Sequence, residues 1–341
     1  MGKRIVFCAD GTWDGTANNT NVLKIFNATL VSSEQMPFYD NGVGADGTPI
    51  EKLAGGAFGL GLFQKIKDGY TKISQVYEAE DELFVFGFSR GAYTARSLAG
   101  MIAICGLPTA NFDDSMVDTA FQAYRNKDQR QALLASLGKY NLYNAKITMV
   151  GVWDTVGSLG IPSVIGGVSP ILYGFLDTSL HPDVLNAIQA LAIDERRVEF
   201  PPTLWDESPA PGQVLQQVWF CGCHSDVGGG TSPAAQDAGT ALSDITLAWM
   251  MSKAAALGVQ FAPSAVAKYT IPAAAKYALD EIHESWSPLW GFPVPRVIAN
   301  KVSLSNSVAL RCQNDNSYRP SNLTIVNAAP GPDYPIVNTV G

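Results

Sequence analysis

The stretch that most constrains this chain is Gly87-Phe88-Ser89-Arg90-Gly91. It sits between an apolar, β-prone run, ELFVFGF (82–88), and an apolar helical one, GAYTARSLAGMIAICG (91–106). A chain that passes from a buried strand into a buried helix through one tight turn needs a sheet with helices packed on its faces. Such a turn crowds its own backbone, and a glycine two places either side of the serine lets it close without a Cβ clash. It also lifts the serine hydroxyl clear of the sheet, over a helix N-terminus that favours developing negative charge.

The same alternation runs through much of the chain. RIVFCAD (4–10), MPFYDNGVG (36–44), KITMVGVWD (146–154) and VLQQVWFCGC (214–223) read as strands. NVLKIFNATL (21–30), FQKIKDGYTKISQVYEA (63–79) and LSDITLAWMMSKAAALG (242–258) read as helices, the last with Asp244 near its start and Gly258 after its end. This predicts an α/β fold with a mostly parallel central sheet and helices on both faces. In such a sheet ligands bind outside the carboxyl ends of the strands. Four strand exits carry reactive or strongly polar groups: Asp10-Gly11-Thr12, Ser89, Asp154-Thr155 and His224-Ser225-Asp226.

No internal repeat or linker divides residues 1–341, so a single catalytic-sized domain is expected. EFPPTLWDESPAPGQ (199–213) reads as a surface loop, and the Pro-, Asn- and Ser-rich stretch from about 288 as one that wraps the domain or is partly irregular. With 47% hydrophobic residues and a mean hydropathy of +0.07, the chain can bury a sizeable core. A net charge of −8, with no basic stripe, excludes nucleic acid as the main partner. It also gives no attraction to anionic lipid, so any peripheral membrane contact has to be apolar.

No run is apolar for long enough to span a bilayer, and MGKRIVFCADGT breaks too early for a signal peptide. The expected location is the cytoplasm of the producing cell, or export by a route that reads no N-terminal signal. Cys8, Cys105, Cys221, Cys223 and Cys312 have no metal-ligand spacing and are expected to be buried as small hydrophobes. No metal or other cofactor is implied.

A serine nucleophile needs a base, and the base a carboxylate to orient it. The chain holds three histidines, His181, His224 and His283. Two assignments keep the order serine, acid, histidine: Asp154 with His224, or Asp226 with His283. Position favours the first, because Asp154 and His224 each follow an apolar run directly. His283 remains the alternative base, and His181, before a proline, reads as a loop residue. Asp226 is expected to hold the glycine turn after His224 by local hydrogen bonds. The loop after the first strand should face the serine, so a backbone N–H of Gly11 or Thr12 can join that of Arg90 as an oxyanion hole. Asp10 then braces the loop, or forms a plain Asx turn. An aspartyl-phosphate reading of CADGT fails, because Cys8 stands where the nucleophilic aspartate is required.

Together, DGTWDGTANNTN (10–21), GFSRGAYTAR (87–96), GVWDTVGSLG (151–160), AIDERRVEFPPTLW (192–205), VWFCGCHSDVGGG (218–230) and LSDITLAWM (242–250) resemble a known family. It is the α/β-hydrolase-like domain family that includes the first family of type VI secretion phospholipase effectors. The resemblance implies a serine, aspartate and histidine at Ser89, Asp154 and His224, and a lipid or other small ester as substrate. Two apolar, glycine-rich segments, 53–63 and 157–176, read as loops, the second either as a buried connection or as an apolar cover or acyl-chain wall beside Asp154. The expected activity is a phospholipase- or lipase-type serine esterase. The alternatives are an esterase of small soluble esters, or a binding or scaffold protein that keeps the fold without turnover.

Overall fold

The structure, a computed structural model, describes residues 2–11, 19–42, 56–156, 179–206, 209–230, 241–269 and 277–340. Its centre is an eight-stranded sheet of β1 (Arg4–Ala9), β2 (Gln35–Asp40), β3 (Glu82–Phe88), β4 (Ile147–Trp153), β5 (Asn186–Ala192), β6 (Val214–Phe220), β7 (Ser303–Ser305) and β8 (Ile336–Val337). The spatial order is β2-β1-β3-β4-β5-β6-β7-β8. Every neighbouring pair is parallel. All carboxyl ends therefore share one edge, and the strand order reverses beside β1 and β3, where a crevice opens in folds of this kind.

Helices cover both faces: α1 (Asn21–Ala28), α2 (Gly56–Ser74), α3 (Ser89–Cys105), α4 (Asp114–Arg125), α5 (Arg130–Leu137), α6 (His224–Gly228), α7 (Leu242–Ala256), α8 (Pro263–Tyr269) and α9 (Asn306–Asn314). The two-residue period of the strands sorts their side chains between the faces. Ile5, Phe7, Leu83, Val85, Val150 and Val152 pack with α2, α3 and α4. Val6, Cys8, Phe84, Phe86 and Met149 pack with α1 and α7. All five cysteines are buried and free, as small hydrophobes. Among the described residues no helix is long and apolar enough to cross a membrane.

Three sequence expectations need correction. The glycine-rich run 53–63 is not a loop from residue 56 on, because α2 starts at Gly56. Packing against α3 and α4 outweighs the weak helix propensity of glycine. β5 was not anticipated: Asn186-Ala-Ile-Gln-Ala-Leu-Ala has little β propensity of its own, and its place is set by burial between β4 and β6. The stretch after 288 is not simply irregular. It contributes α9 and the edge strands β7 and β8, and Leu304, Val308, Cys312 and Tyr318 cover Leu191 and Trp219 in a third core cluster. The expected apolar cover at 157–176 lies outside the described residues, as does Thr12.

Candidate active site

Register places the serine beside the aspartate. Phe88 at the end of β3 pairs with Trp153 at the end of β4, so Ser89 and Asp154 leave the sheet side by side. Both have left-handed backbones, with φ of 57° and 39°. Residues held this way cost on the order of 1–3 kcal/mol each and persist where the surroundings over-determine them. The two flanking glycines are dictated by contact. A Cβ on Gly87 would lie 2.4 Å from the Gly91 carbonyl oxygen, and one on Gly91 would lie 2.3 Å from that of Ala9 and 2.4 Å from that of Asp10. The first turn of α3 thus rests on the last residues of β1. Phe88, at the N-cap position, offers no side-chain acceptor to that turn.

Asp154 is fully buried and held on all sides. Its N–H donates to the Ala190 carbonyl (2.8 Å), and its Oδ1 accepts from the Ala192 N–H (3.0 Å). Arg296 forks onto the carboxylate, Nη1 donating to Oδ1 (2.6 Å) and Nη2 to Oδ2 (2.8 Å). The carboxylate's fourth bond joins Asp154 Oδ2 to His224 Nδ1 (2.5 Å). Burial by itself would raise the Asp154 pKa. The Arg296 guanidinium and the His224 bond outweigh it and hold the carboxyl well below the usual range.

His224 opens α6 directly after β6 and is 4% exposed. Its ring packs against Phe88, with centroids 4.6 Å apart, and edge-on to Phe200 at 5.0 Å. With a carboxylate on Nδ1, that nitrogen carries the hydrogen and Nε2 is left as the basic atom. Burial lowers the His224 pKa, against the opposing pull of Asp154.

Sequence reasoning missed two members of this cluster. Glu195, fully buried in the loop after β5, accepts from the His224 N–H (3.2 Å), Ser285 Oγ (3.0 Å) and both backbone and side chain of Arg197. Burial raises its pKa, but Arg197 outweighs that and brings it down to about 2. Arg197 in turn lies over the Phe200 ring, 3.7 Å from its centroid. The sequence signals were the charged cluster Asp194-Glu195-Arg196-Arg197 and its place in AIDERRVEFPPTLW, one of the segments of the family resemblance, which gave Glu195 no role. The other missed residue, Arg296, carries no local motif at all.

The remaining candidates separate. His283 Nδ1 pairs with Asp226 Oδ1 (2.6 Å), and Asp226 Oδ2 also accepts from the N–H groups of Cys223 and His283. Asp226 therefore holds the turn before His224 and not, as expected, the glycine turn after it, while its partner His283 is 35% exposed. His283 lines a cleft together with Asp194, Arg196, Tyr318 and Asn322. His181 accepts from the Asp183 N–H in a loop. Asp10 braces its loop more firmly than an Asx turn alone: it accepts from Gly11 N–H (2.9 Å), Thr20 Oγ1 (2.6 Å) and Tyr39 OH (2.6 Å), tying β1 to α1 and β2. The Gly11 N–H is thereby directed at Asp10. Arg90 is buried in the first turn of α3. Among the described residues no group of three or more His, Cys, Asp or Glu side chains is placed to hold a metal ion.

One family model matches the chain. Residues 3–253 match the model of the type VI secretion system (T6SS) phospholipase effector Tle1-like catalytic domain. An uncharacterised protein of Saccharomyces cerevisiae, YEL023C, is 34% identical over 188 residues, covering 47% of this chain and 27% of the yeast protein. Among solved structures, an uncharacterised protein from Pseudomonas aeruginosa has a TM-score of 0.48 at 17% identity, over 81% of this chain and 50% of that one. A Tle1 effector bound to the VgrG spike of the type 6 secretion system has a TM-score of 0.46 at 14% identity, over 88% and 82%. The chain thus spans about a quarter of the yeast protein and half of the Pseudomonas one.

Proposed function

The chain belongs to the T6SS Tle1-like phospholipase effector catalytic-domain family, and from that premise we propose that it is a serine hydrolase of phospholipid carboxylic esters. Ser89 Oγ attacks the ester carbonyl carbon while His224 Nε2 takes its proton. The proton passes to the departing alcohol, leaving an acyl-enzyme on Ser89. Water, deprotonated by the same imidazole, then releases the carboxylic acid and restores the serine. Asp154 fixes the tautomer and orientation of His224 and offsets the charge it gains. The Arg90 N–H at the start of α3 receives the developing oxyanion; the Gly11 N–H, expected from the sequence to join it, is instead given to Asp10 Oδ1.

The observation that carries this reading is the 2.5 Å Asp154–His224 bond at the exit of β4, with Ser89 leaving the paired strand β3. The Asp226–His283 pair is as closely bonded, but His283 lines the separate Asp194–Tyr318 cleft and directly follows no strand of the sheet that carries Ser89. With a net charge of −8, contact with a bilayer rests on apolar surface and not on attraction to anionic headgroups.

The test is covalent labelling by a fluorophosphonate together with phospholipid hydrolysis. Labelling should map to Ser89, and Ser89→Ala should abolish both signals in a folded protein. His224→Ala should lose as much as Ser89→Ala, since triad members act as a unit, and His283→Ala should lose far less. Hydrolysis surviving in Ser89→Ala would refute the mechanism. A dead His283→Ala beside an active His224→Ala would transfer the base to His283. A preference for short soluble esters over long-chain phospholipid would remove the lipid and leave the esterase.

A further inference from the structure

Arg296 lies outside residues 3–253, the span of the family match, yet it forks onto the carboxylate at the core of the site. Its Nη1 donates to Asp154 Oδ1 and to the Ala192 carbonyl (2.8 Å), and its Nη2 to Asp154 Oδ2 and the Phe200 carbonyl (2.8 Å). The guanidinium is 7% exposed. It bridges the exit of β4, the exit of β5 and the loop that carries Phe200, whose ring touches His224. We propose that Arg296 is a positioning residue for the base: it locks the Asp154 carboxylate in the rotamer that meets His224 and, by neutralising it, keeps His224 unprotonated in mildly acidic solution. This rests on the triad reading above.

The electrostatic argument is one of neighbours. A lone buried carboxylate 2.5 Å from an imidazole strongly favours the imidazolium. An arginine forked onto the same carboxylate cancels most of that attraction, so the Asp154–His224 pair takes up its proton at lower pH. The other charged groups around His224 are few. Glu195 accepts from its backbone N–H and favours the imidazolium, while Arg197 neutralises Glu195 and by its own charge also lowers the His224 pKa. On its own helix, Asp226 is turned to Cys223 and His283. Phe88 and Phe200 present apolar rings. Arg296 is thus the cation that acts on the base through its orienting carboxylate. The bidentate geometry also matters, because a fork fixes the plane of the carboxylate where a point charge does not.

The experiment is the pH dependence of hydrolysis beside an NMR titration of histidine. Three histidines give a resolvable spectrum, and His224 is assigned by its loss in His224→Ala. In the wild type His224 should titrate below the ordinary 6.5. In Arg296→Gln the acid limb of kcat/KM and the His224 titration should both move up by about one pH unit or more. Arg296→Lys keeps the charge and loses the fork, so its limb should stay near wild type while kcat falls. A folded Arg296→Gln protein with an unmoved limb would overturn the proposal. If Arg296→Gln does not fold, a wild-type His224 that titrates at or above 6.5 would overturn it equally. Neither result touches the triad reading, which fails separately if His224→Ala is active.

Discussion

Ser89 and Asp154 hold backbone angles their side chains disfavour, and they are the two residues that meet where β3 and β4 end. Strain at a site is supported by its surroundings, and here the support is chiefly ionic: Arg296 on Asp154, and Arg197 on Glu195. That makes the folded state sensitive to acid. Asp154 and Glu195 both have depressed pKa values, Glu195 near about 2 against an ordinary 4.5. Their contribution is full above the ordinary carboxylate range and is lost as pH falls through the folded values. His224 acts in the same direction, because its lowered pKa means that unfolding gains from protonating it below about 6.5. We expect stability to begin falling near pH 6.5 and to fall faster below 4.5, with a loss on the order of 2 kcal/mol or more by pH 3. Urea midpoints measured from pH 8 to 3 check this. A midpoint constant from pH 7 to 4 would contradict it.

The element that organises the site is α3, together with the turn that feeds it. Its glycines do different work from an ordinary surface glycine, and a pair of substitutions separates the two. In Gly91→Ala the new Cβ meets carbonyl oxygens of Ala9 and Asp10, which are backbone and have no room to move. The cost should be about 2 kcal/mol or more, with loss of fluorophosphonate labelling as the turn shifts. Gly138, which follows α5, has φ of −56° and nothing within 4 Å of the added Cβ. Gly138→Ala should be neutral or stabilising by up to about 1 kcal/mol. Thermal midpoints of the two variants decide it, and equal effects would mean that the close packing of β1 under α3 is wrong. This element was legible in the sequence because its constraint is local: strand, glycine, serine, glycine and helix lie within one short stretch. Asp154 and His224 were legible for a related reason, since each ends a clearly apolar strand. β5 was not, because Ala and Gln specify no strand until β4 and β6 flank them. Glu195, which leaves that unrecognised strand, was lost with it. Arg296 was out of reach because its partner lies 142 residues away in sequence and nothing beside it marks an active site.

At the scale of the whole molecule, the family match ends near residue 253, whereas the site does not. Residues 277–340 supply Arg296 to Asp154, Ser285 to Glu195 and His283 to Asp226. They also cap the far edge of the sheet, where β7 pairs with β6 at Val218 and Trp219, and Leu304, Val308 and Cys312 pack on Leu191 and Trp219. Losing that cover would expose several large side chains, each contributing roughly 1.5–3 kcal/mol when buried. It would also leave Asp154 buried without its cation. A chain ended after residue 276 should therefore lose hydrolysis and fluorophosphonate labelling together, and should unfold at markedly lower urea. A chain ended after residue 331 is the control. It loses β8, Tyr334 and the hydrogen bonds of Thr339 and Val340 to Ser305 and Asn306, but keeps Arg296 and α9. It should retain hydrolysis with only a modest fall in thermal midpoint. Full activity in the shorter chain would mean that residues 1–276 carry a complete site and that the arginine clamp is dispensable. Loss of activity in both chains, with both folded, would place an essential contact in the last ten residues and not in Arg296.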